Sequence, residues 1–393
     1  MRSPKTIIKP KVLRWARERT GLSVQEFAQK LSVPAETVSE WESGKTAITM
    51  KCAQDVAKLS LLPLGYLFSS EIPKRDLHLP DFRTINNDLI QKPSPELEAT
   101  ILEMEEKQSW FREYLIECDS LPLDWIGSIS LKTMIPDAVH KIQEIISISG
   151  DEFEHFSRWE DYFDLLVQKI EQAGIIFIRN SVVGNNTRRP LSLEEFRGFV
   201  LVDSYAPLIF INGRDYKNPQ MFTMIHELVH LILGQSGVID ISNETSNKTE
   251  KYCNKVAAEF LVPGSKLCSY WKTLSQEDSE IRNNIYHLSK YFKVSTYVII
   301  LRCRDFHLIS FELASCLWKE EVEKFNRLKA QQHGGGGDFY ANLKYRVGET
   351  FAKAIISELS DRSISFGDAF RLLNVKNMDS LRKLSEAVGL PIL

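Results

Sequence analysis

The five residues His226-Glu227-Leu228-Val229-His230 constrain this chain more tightly than any other stretch. Residues four apart stack on one face of an α-helix, so the two imidazoles can grip a single metal ion. Glu227, roughly 100° further round the helix, can lean toward the attacking water and take its proton. The flanks call for a buried helix. Met221-Phe222-Thr223-Met224-Ile225 leads in, Leu228, Val229, Leu231, Ile232 and Leu233 surround the histidines, and Gly234 supplies a C-terminal stop. Buried polar side chains need partners, and one ion satisfies both rings at once. The bland alternative is a core helix whose histidines bond to backbone groups.

A catalytic zinc takes three protein ligands and keeps one position open. Continuation of the motif as HExxHxxGxxH is excluded, because Leu233 and Ser236 stand where that pattern needs Gly and His. A Glu on a following helix is the other common solution. Glu250 lies about that far downstream, in a stretch where Cys253, Val256, Ala257, Phe260 and Leu261 form one apolar stripe. Asn247 or Thr249 is placed to cap this helix and Pro263 to end it, which puts Glu250 in the first turn with Asn254 one turn below. Asp240 and Glu244, in a polar loop, and Glu259, on another face, are rivals. A first-turn carboxylate favoured by the helix dipole would explain Glu250 without any metal.

The run Phe222–His230, followed by Glu250-Lys251-Tyr252-Cys253-Asn254 through Pro263, resembles the ImmA/IrrE family of bacterial metallopeptidases. Arg197-Gly198-Phe199 and Pro207–Asn212 resemble the strands that precede the zinc helix of that family. The resemblance implies a Zn2+ cofactor with His226, His230 and Glu250 as ligands and Glu227 as the base. It also implies a zincin-like, gluzincin-type fold. Substrates of the family are DNA-binding repressors, cleaved to switch on stress or mobile-element genes.

Residues 1–70 differ in character. The first twenty carry seven Lys or Arg against one acid, Glu18, a local charge that favours a polyanion; no apolar stretch of signal-peptide length follows. Leu22–Leu31 and Pro34–Gly44 read as two short helices, with Ser23 at an N-cap, Pro34 at a first helical position and Gly44 as a stop. Phe27, Ala28, Leu31, Val38 and Trp41 supply their shared core. This pair resembles the Xre/lambda-repressor type of helix-turn-helix. Gln25, Ala35, Glu36, Thr37, Ser39, Glu40 and Lys45 are the candidate DNA contacts, with Lys11, Arg14 and Arg17 on the phosphates. Two departures stand out: Ser32 holds the usual glycine turn position, and Glu36 and Glu40 face phosphate unfavourably, although Glu can accept from a cytosine amino group. A module kept for dimerisation or for a protein partner is the alternative.

The whole chain is expected to be α+β and mostly helical. Its expected parts are a helix-turn-helix at 1–70, a linker and helical connector at 71–150, a zinc peptidase domain with a small sheet at 151–330, and a Gly-rich hinge with a C-terminal helical unit at 331–393. Leu79-Pro80-Asp81-Phe82-Arg83-Thr84 and Gly334–Tyr340 resemble features of relatives that fuse both modules. Helices are expected over Ser94–Cys118, 151–173, Asp278–Phe292 and Phe339–Leu359, and strands over Gly174–Arg179, Gly198–Asp203 and Pro207–Asn212. Thr296–Arg302 reads as a strand or a short helix. The strand at 207–212 is either a free edge that an extended peptide could join or an internal strand. Tyr286 and His287 are candidates to stabilise an anionic intermediate, and Ser363–Leu390 reads as a partner-binding or second DNA-reading unit. Six Cys without a CxxC pair point to a reduced, cytoplasmic chain, and no apolar run reaches membrane-spanning length. A net charge of −3 confines any nucleic-acid affinity to local patches. The partners implied are a protein substrate (a repressor or a toxin–antitoxin component) and double-stranded DNA, with a homodimer left open. A DNA-binding, antitoxin-like regulator with a latent peptidase domain is the competing reading.

Overall fold

The computed structural model describes residues 6, 8–62, 64–69, 93–215, 217–234, 243–274, 277, 280–331 and 343–391. The Leu79–Thr84 motif, Asp240 and the Gly334–Tyr340 stretch lie outside the described residues. Within them the protein is mostly helical, with one small three-stranded sheet. No helix among these residues is long and apolar enough to cross a membrane.

The amino-terminal unit comprises α1 (Pro10–Arg19), α2 (Val24–Leu31), α3 (Ala35–Ser43) and α4 (Met50–Leu59). Ser23 and Glu26 form a reciprocal capping box at the start of α2, and Gly44, at φ 75°, closes α3. Pro34 stands one residue outside α3, at the cap, rather than at its first position. Ser32 adopts the left-handed φ of 56° that a glycine would take without strain, which costs about 1 kcal/mol. Val12, Ala16, Phe27, Ala28, Val38 and Trp41 pack into one core with Val56 of α4.

This unit docks by its rear. The last carbonyls of α4 are gripped by two arginines: Arg19 donates to Ser60 O at 3.0 Å, and Arg189 donates to Lys58 O at 2.9 Å and Leu59 O at 2.7 Å. Both guanidiniums also pair with the first turn of the next helix, Arg19 with Glu98 and Arg189 with Glu96 at 3.5 Å.

That helix is α5 (Pro95–Glu117), followed by α6 (Ile135–Ile145), a 3-10 turn at Glu152–His155, and α7 (Trp159–Gln172). The strands are β1 (Ile176–Asn180), β2 (Gly198–Leu201) and β3 (Leu208–Asn212), shorter than their hydrophobic runs but in the expected places. Their order is β1-β3-β2, with β1 parallel and β2 antiparallel to β3. The 207–212 strand is therefore central, not a free edge, and every residue of β3 is buried. The two edges are β1 and β2, and β2 is the one that lies against α8.

The remaining helices are α8 (Lys217–Leu233), α9 (Asn243–Leu261), α10 (Gly264–Trp271), α11 (Ile281–Phe292), α12 (Thr296–Asp305), α13 (Phe311–Gln331), α14 (Leu343–Val347), α15 (Glu349–Ser360), α16 (Phe366–Leu372) and α17 (Met378–Ala387). Period-two alternation splits the sheet between two cores. Phe177, Val200, Ile209 and Ile211 face α7, α8, α9 and their neighbours. Ile176, Ile178, Phe199, Leu208 and Phe210 face α5 and the α14–α17 unit. The carboxyl-terminal helices thus spend their main apolar face on the back of the sheet. The helix expected over Phe339–Leu359 is broken at Gly348, whose φ of 88° and close approach to Phe177 O (3.1 Å from a built Cβ) demand glycine.

One buried cation ties this layer together. Lys107 of α5, fully enclosed, donates to Leu372 O at 2.5 Å, pairs with Glu103 at 3.5 Å and lies 5.3 Å from the Phe351 ring centre. Burial pushes its ammonium pKa below the usual lysine value, against the pull of Glu103. Truncation by Lys107→Ala leaves the last turn of α16 without its donor and opens a cavity. The expected cost is about 3 kcal/mol or more, read as a lower urea midpoint; an unchanged midpoint would contradict the clamp.

Candidate functional site

Helix α8 is built as its sequence demands. Met221, Met224, Ile225, Leu228, Val229, Leu231 and Ile232 are fully buried, and Gly234 turns left-handed at φ 65° immediately after the last helical residue. A Cβ at Gly234 would stand 2.8 Å from Gly127 Cα, so the chain crosses itself there at backbone contact. The polar exceptions, His226, Glu227 and His230, sit four-fifths buried or more on one side of the helix.

Helix α9 begins at Asn243, earlier than its composition suggests. Asn247 and Thr249 lie inside it, not at its cap, and Glu250 stands in the third turn rather than the first. Further along, its Cys253, Val256 and Ala257 stripe packs into the same core as α8. The helix-dipole explanation of Glu250 loses its footing, because that effect fades beyond the first turn.

The two helices bring three donors together. His226 Nε2 and His230 Nε2 are 3.1 Å apart; the Glu250 carboxylate reaches the first through Oε2 at 3.2 Å and the second through Oε1 at 3.2 Å. All three groups offer atoms within 4.8 Å of one another. Two ring nitrogens in contact need a shared proton or a cation between them. Two imidazoles and a carboxylate are also the donor set that suits zinc, so the residues fit that ion. Glu259 is occupied elsewhere: it pairs closely with Arg302 and accepts from Gly264 N at 3.0 Å. Glu244 falls within α9, and Asp240 is outside the described residues.

Electrostatics follow from this burial. Desolvation works against charge on Glu250, but bonds from both histidines outweigh it and hold the carboxyl far below its usual range. Burial likewise opposes the His226 imidazolium, yet Glu250 reverses the balance and leaves its pKa raised; Asn254, one turn beyond Glu250, adds to that. Nδ1 of His226 is buried without a hydrogen bond. Glu227 is raised, chiefly by burial, with the two histidines pulling the other way.

The raised His226 value sets a pH dependence. In the metal-free chain its charged form contributes stability in full below the ordinary 6.5, and that contribution is lost as pH rises through the raised folded value. Metal needs the neutral ring, so zinc affinity runs the other way and tightens over the same rise. Chelator competition between about pH 6 and pH 8 is expected to show this; a flat affinity would contradict it.

On the amino-terminal unit, Gln25, Glu36, Ser39 and Lys45 are exposed, while Ala35, Thr37 and Glu40 are half-buried. Ser39 turns back to Ala35 O at 3.2 Å, and Glu40 accepts from the Thr46 hydroxyl at 3.2 Å. Lys11 and Arg14 remain exposed. Arg17 does not: it binds Glu42 through Nε at 2.6 Å and Nη2 at 3.1 Å, which raises its pKa and commits it inside the unit. Tyr286 and His287 lie on the outer face of α11, against each other, with Lys290 over the tyrosine ring. Among the described residues, no contact links that pair to the metal cluster.

A helix-turn-helix unit coupled to a metallopeptidase-type domain is the class that fold and site define. The family comparisons agree: residues 13–59 match the helix-turn-helix profile, and residues 172–304 match the IrrE N-terminal-like domain, Peptidase_M78. Residues 347–387 match a domain of unknown function, DUF8813. No curated protein compared with this chain matches it. The chain therefore joins an Xre-type helix-turn-helix to an IrrE N-terminal-like metallopeptidase domain, as the ImmA/IrrE resemblance implies.

Proposed function

We propose that this protein is a zinc-dependent endopeptidase and transcriptional regulator that cleaves a cytosolic protein partner, a repressor or a toxin–antitoxin component. The observation that carries the reading is the convergence of His226, His230 and Glu250 with Glu227 buried beside them. Zinc on those three ligands would supply Lewis acidity to the reacting water and carbonyl. Glu227 takes the proton of the attacking water and returns it to the leaving amine. Its burial favours the protonated form, so the proton is held well between the two transfers. The edge strand β2 runs beside α8, and an extended peptide pairing with it would present its backbone to the motif.

Gln25, Ala35, Glu36, Thr37, Ser39, Glu40 and Lys45 form the face offered to the major groove, with Lys11 and Arg14 for phosphates. That face is built from α2, α3 and the turn after Gly44, whereas the Arg19 and Arg189 grip holds the end of α4. The reader would deliver the peptidase to a promoter where its target protein sits.

The test uses the full chain with a lysate of its source cells. Sequencing of new protein N-termini is expected to show a narrow set of cuts that vanish with a zinc chelator. Cuts that persist in chelator would contradict the metal chemistry. For the reader, a promoter-binding series in salt should weaken steeply as salt rises, and absence of a sequence-preferring complex would remove that role.

A further inference from the structure

Gly198 opens the edge strand β2, and its backbone lies against the helix that carries the motif. A side-chain carbon built at Gly198 would stand 2.8 Å from the Thr223 methyl, 3.0 Å from Phe210 O and 3.2 Å from Oε1 of Glu227. Close-packed interiors leave no slack for the first of these, so something would have to move. The neighbours differ in how readily they yield. Phe210 belongs to the central strand and is paired in register with Phe199. Thr223, buried one turn before Glu227, is anchored through its hydroxyl to Pro219 O at 3.3 Å. The Glu227 carboxylate is the free end of a longer side chain and yields first.

Gly198 is not among the residues with positive φ, so its glycine is not there for backbone freedom. A glycine within a strand marks a close approach instead. The geometry points to Gly198 as a positioning residue for Glu227: the bare backbone of the edge strand is the wall on which the base rests. This inference rests on the peptidase reading above. It also gives β2 two connected tasks. Its outer edge offers hydrogen bonds to an extended peptide while its inner face fixes the base, so the register of the peptide and the position of the carboxylate are set by one strand.

The experiment is a set of crystal structures of the zinc-loaded full chain as wild type, Gly198→Ala and Gly198→Ala/Thr223→Ser, each with its metal content measured. Gly198→Ala is expected to keep its zinc, since it touches no ligand, and to displace the Glu227 carboxylate by a few tenths of an ångström, set against a tolerance of about 0.5 Å in a productive site. The double variant removes the methyl at 2.8 Å and so relieves the tightest contact, which guards against a variant that fails to fold. Its carboxylate is expected to stay displaced, because the 3.2 Å contact remains. A carboxylate in its wild-type place in either variant overturns the inference. Wild-type protein that binds no zinc would instead defeat the peptidase reading, and the displacement would then be read from metal-free structures of the same three proteins.

Discussion

Glu227→Gln is expected to lower cleavage of the partner protein by roughly 100- to 10,000-fold while leaving zinc content unchanged. The amide matches the carboxylate in size, so the buried site keeps its packing, but it can no longer take up a proton. Glu227 is not among the three converging donors, which is why metal should survive the change. The loss should appear in kcat rather than KM, because proton transfer belongs to the transition state and not to substrate binding. Equal cleavage by wild type and variant would remove Glu227 from the mechanism. Loss of both cleavage and zinc would mean that its part is structural.

Glu250→Gln carries the second large effect, on the metal. The carboxylate is the acidic member of the three converging donors and reaches both imidazoles at 3.2 Å. Losing a supporting partner of a ligand already costs about 10- to 100-fold in metal affinity, so losing a ligand should cost at least that. The metal-free variant has a further signature. Without Glu250 the largest pull that raises His226 disappears and burial is opposed only by Glu227 and Asn254, so the ring should titrate lower than in the wild type. Histidine NMR across pH reads this directly, and an unchanged His226 titration would show that Glu250 is not its partner.

Much of this site was legible before any coordinates. The spacing of His226 and His230 fixed their shared face, and the apolar flanks fixed the burial of α8, because both follow from the helical period alone. Glu250 was reachable by a weaker route, since a ligand from a second helix depends on how two helices pack. The helix α9 starts earlier than its sequence suggests because Asn243–Lys248 reads as polar loop and no local cap or apolar stripe marks a start at Asn243. The central place of β3 was not decidable from its sequence, as a fully apolar run of five suits an internal strand or a buried edge equally. Gly198 carries no signal at all in sequence, because what matters is the distance from where its Cβ would stand to side chains on another element. Lys107 carries no such signal either, since its burial depends on helices that come more than 200 residues later. The Arg19 and Arg189 grip on α4 is of the same kind, set by tertiary contact and invisible to local pattern.

Metal analysis of the purified full chain tests the central claim most directly. Inductively coupled plasma mass spectrometry on protein prepared without chelator is expected to find stoichiometric zinc in the wild type and in Glu227→Gln, and little in His230→Ala or Glu250→Gln. Wild-type protein without metal, or zinc retained undiminished when His230 and Glu250 are changed, would contradict the account.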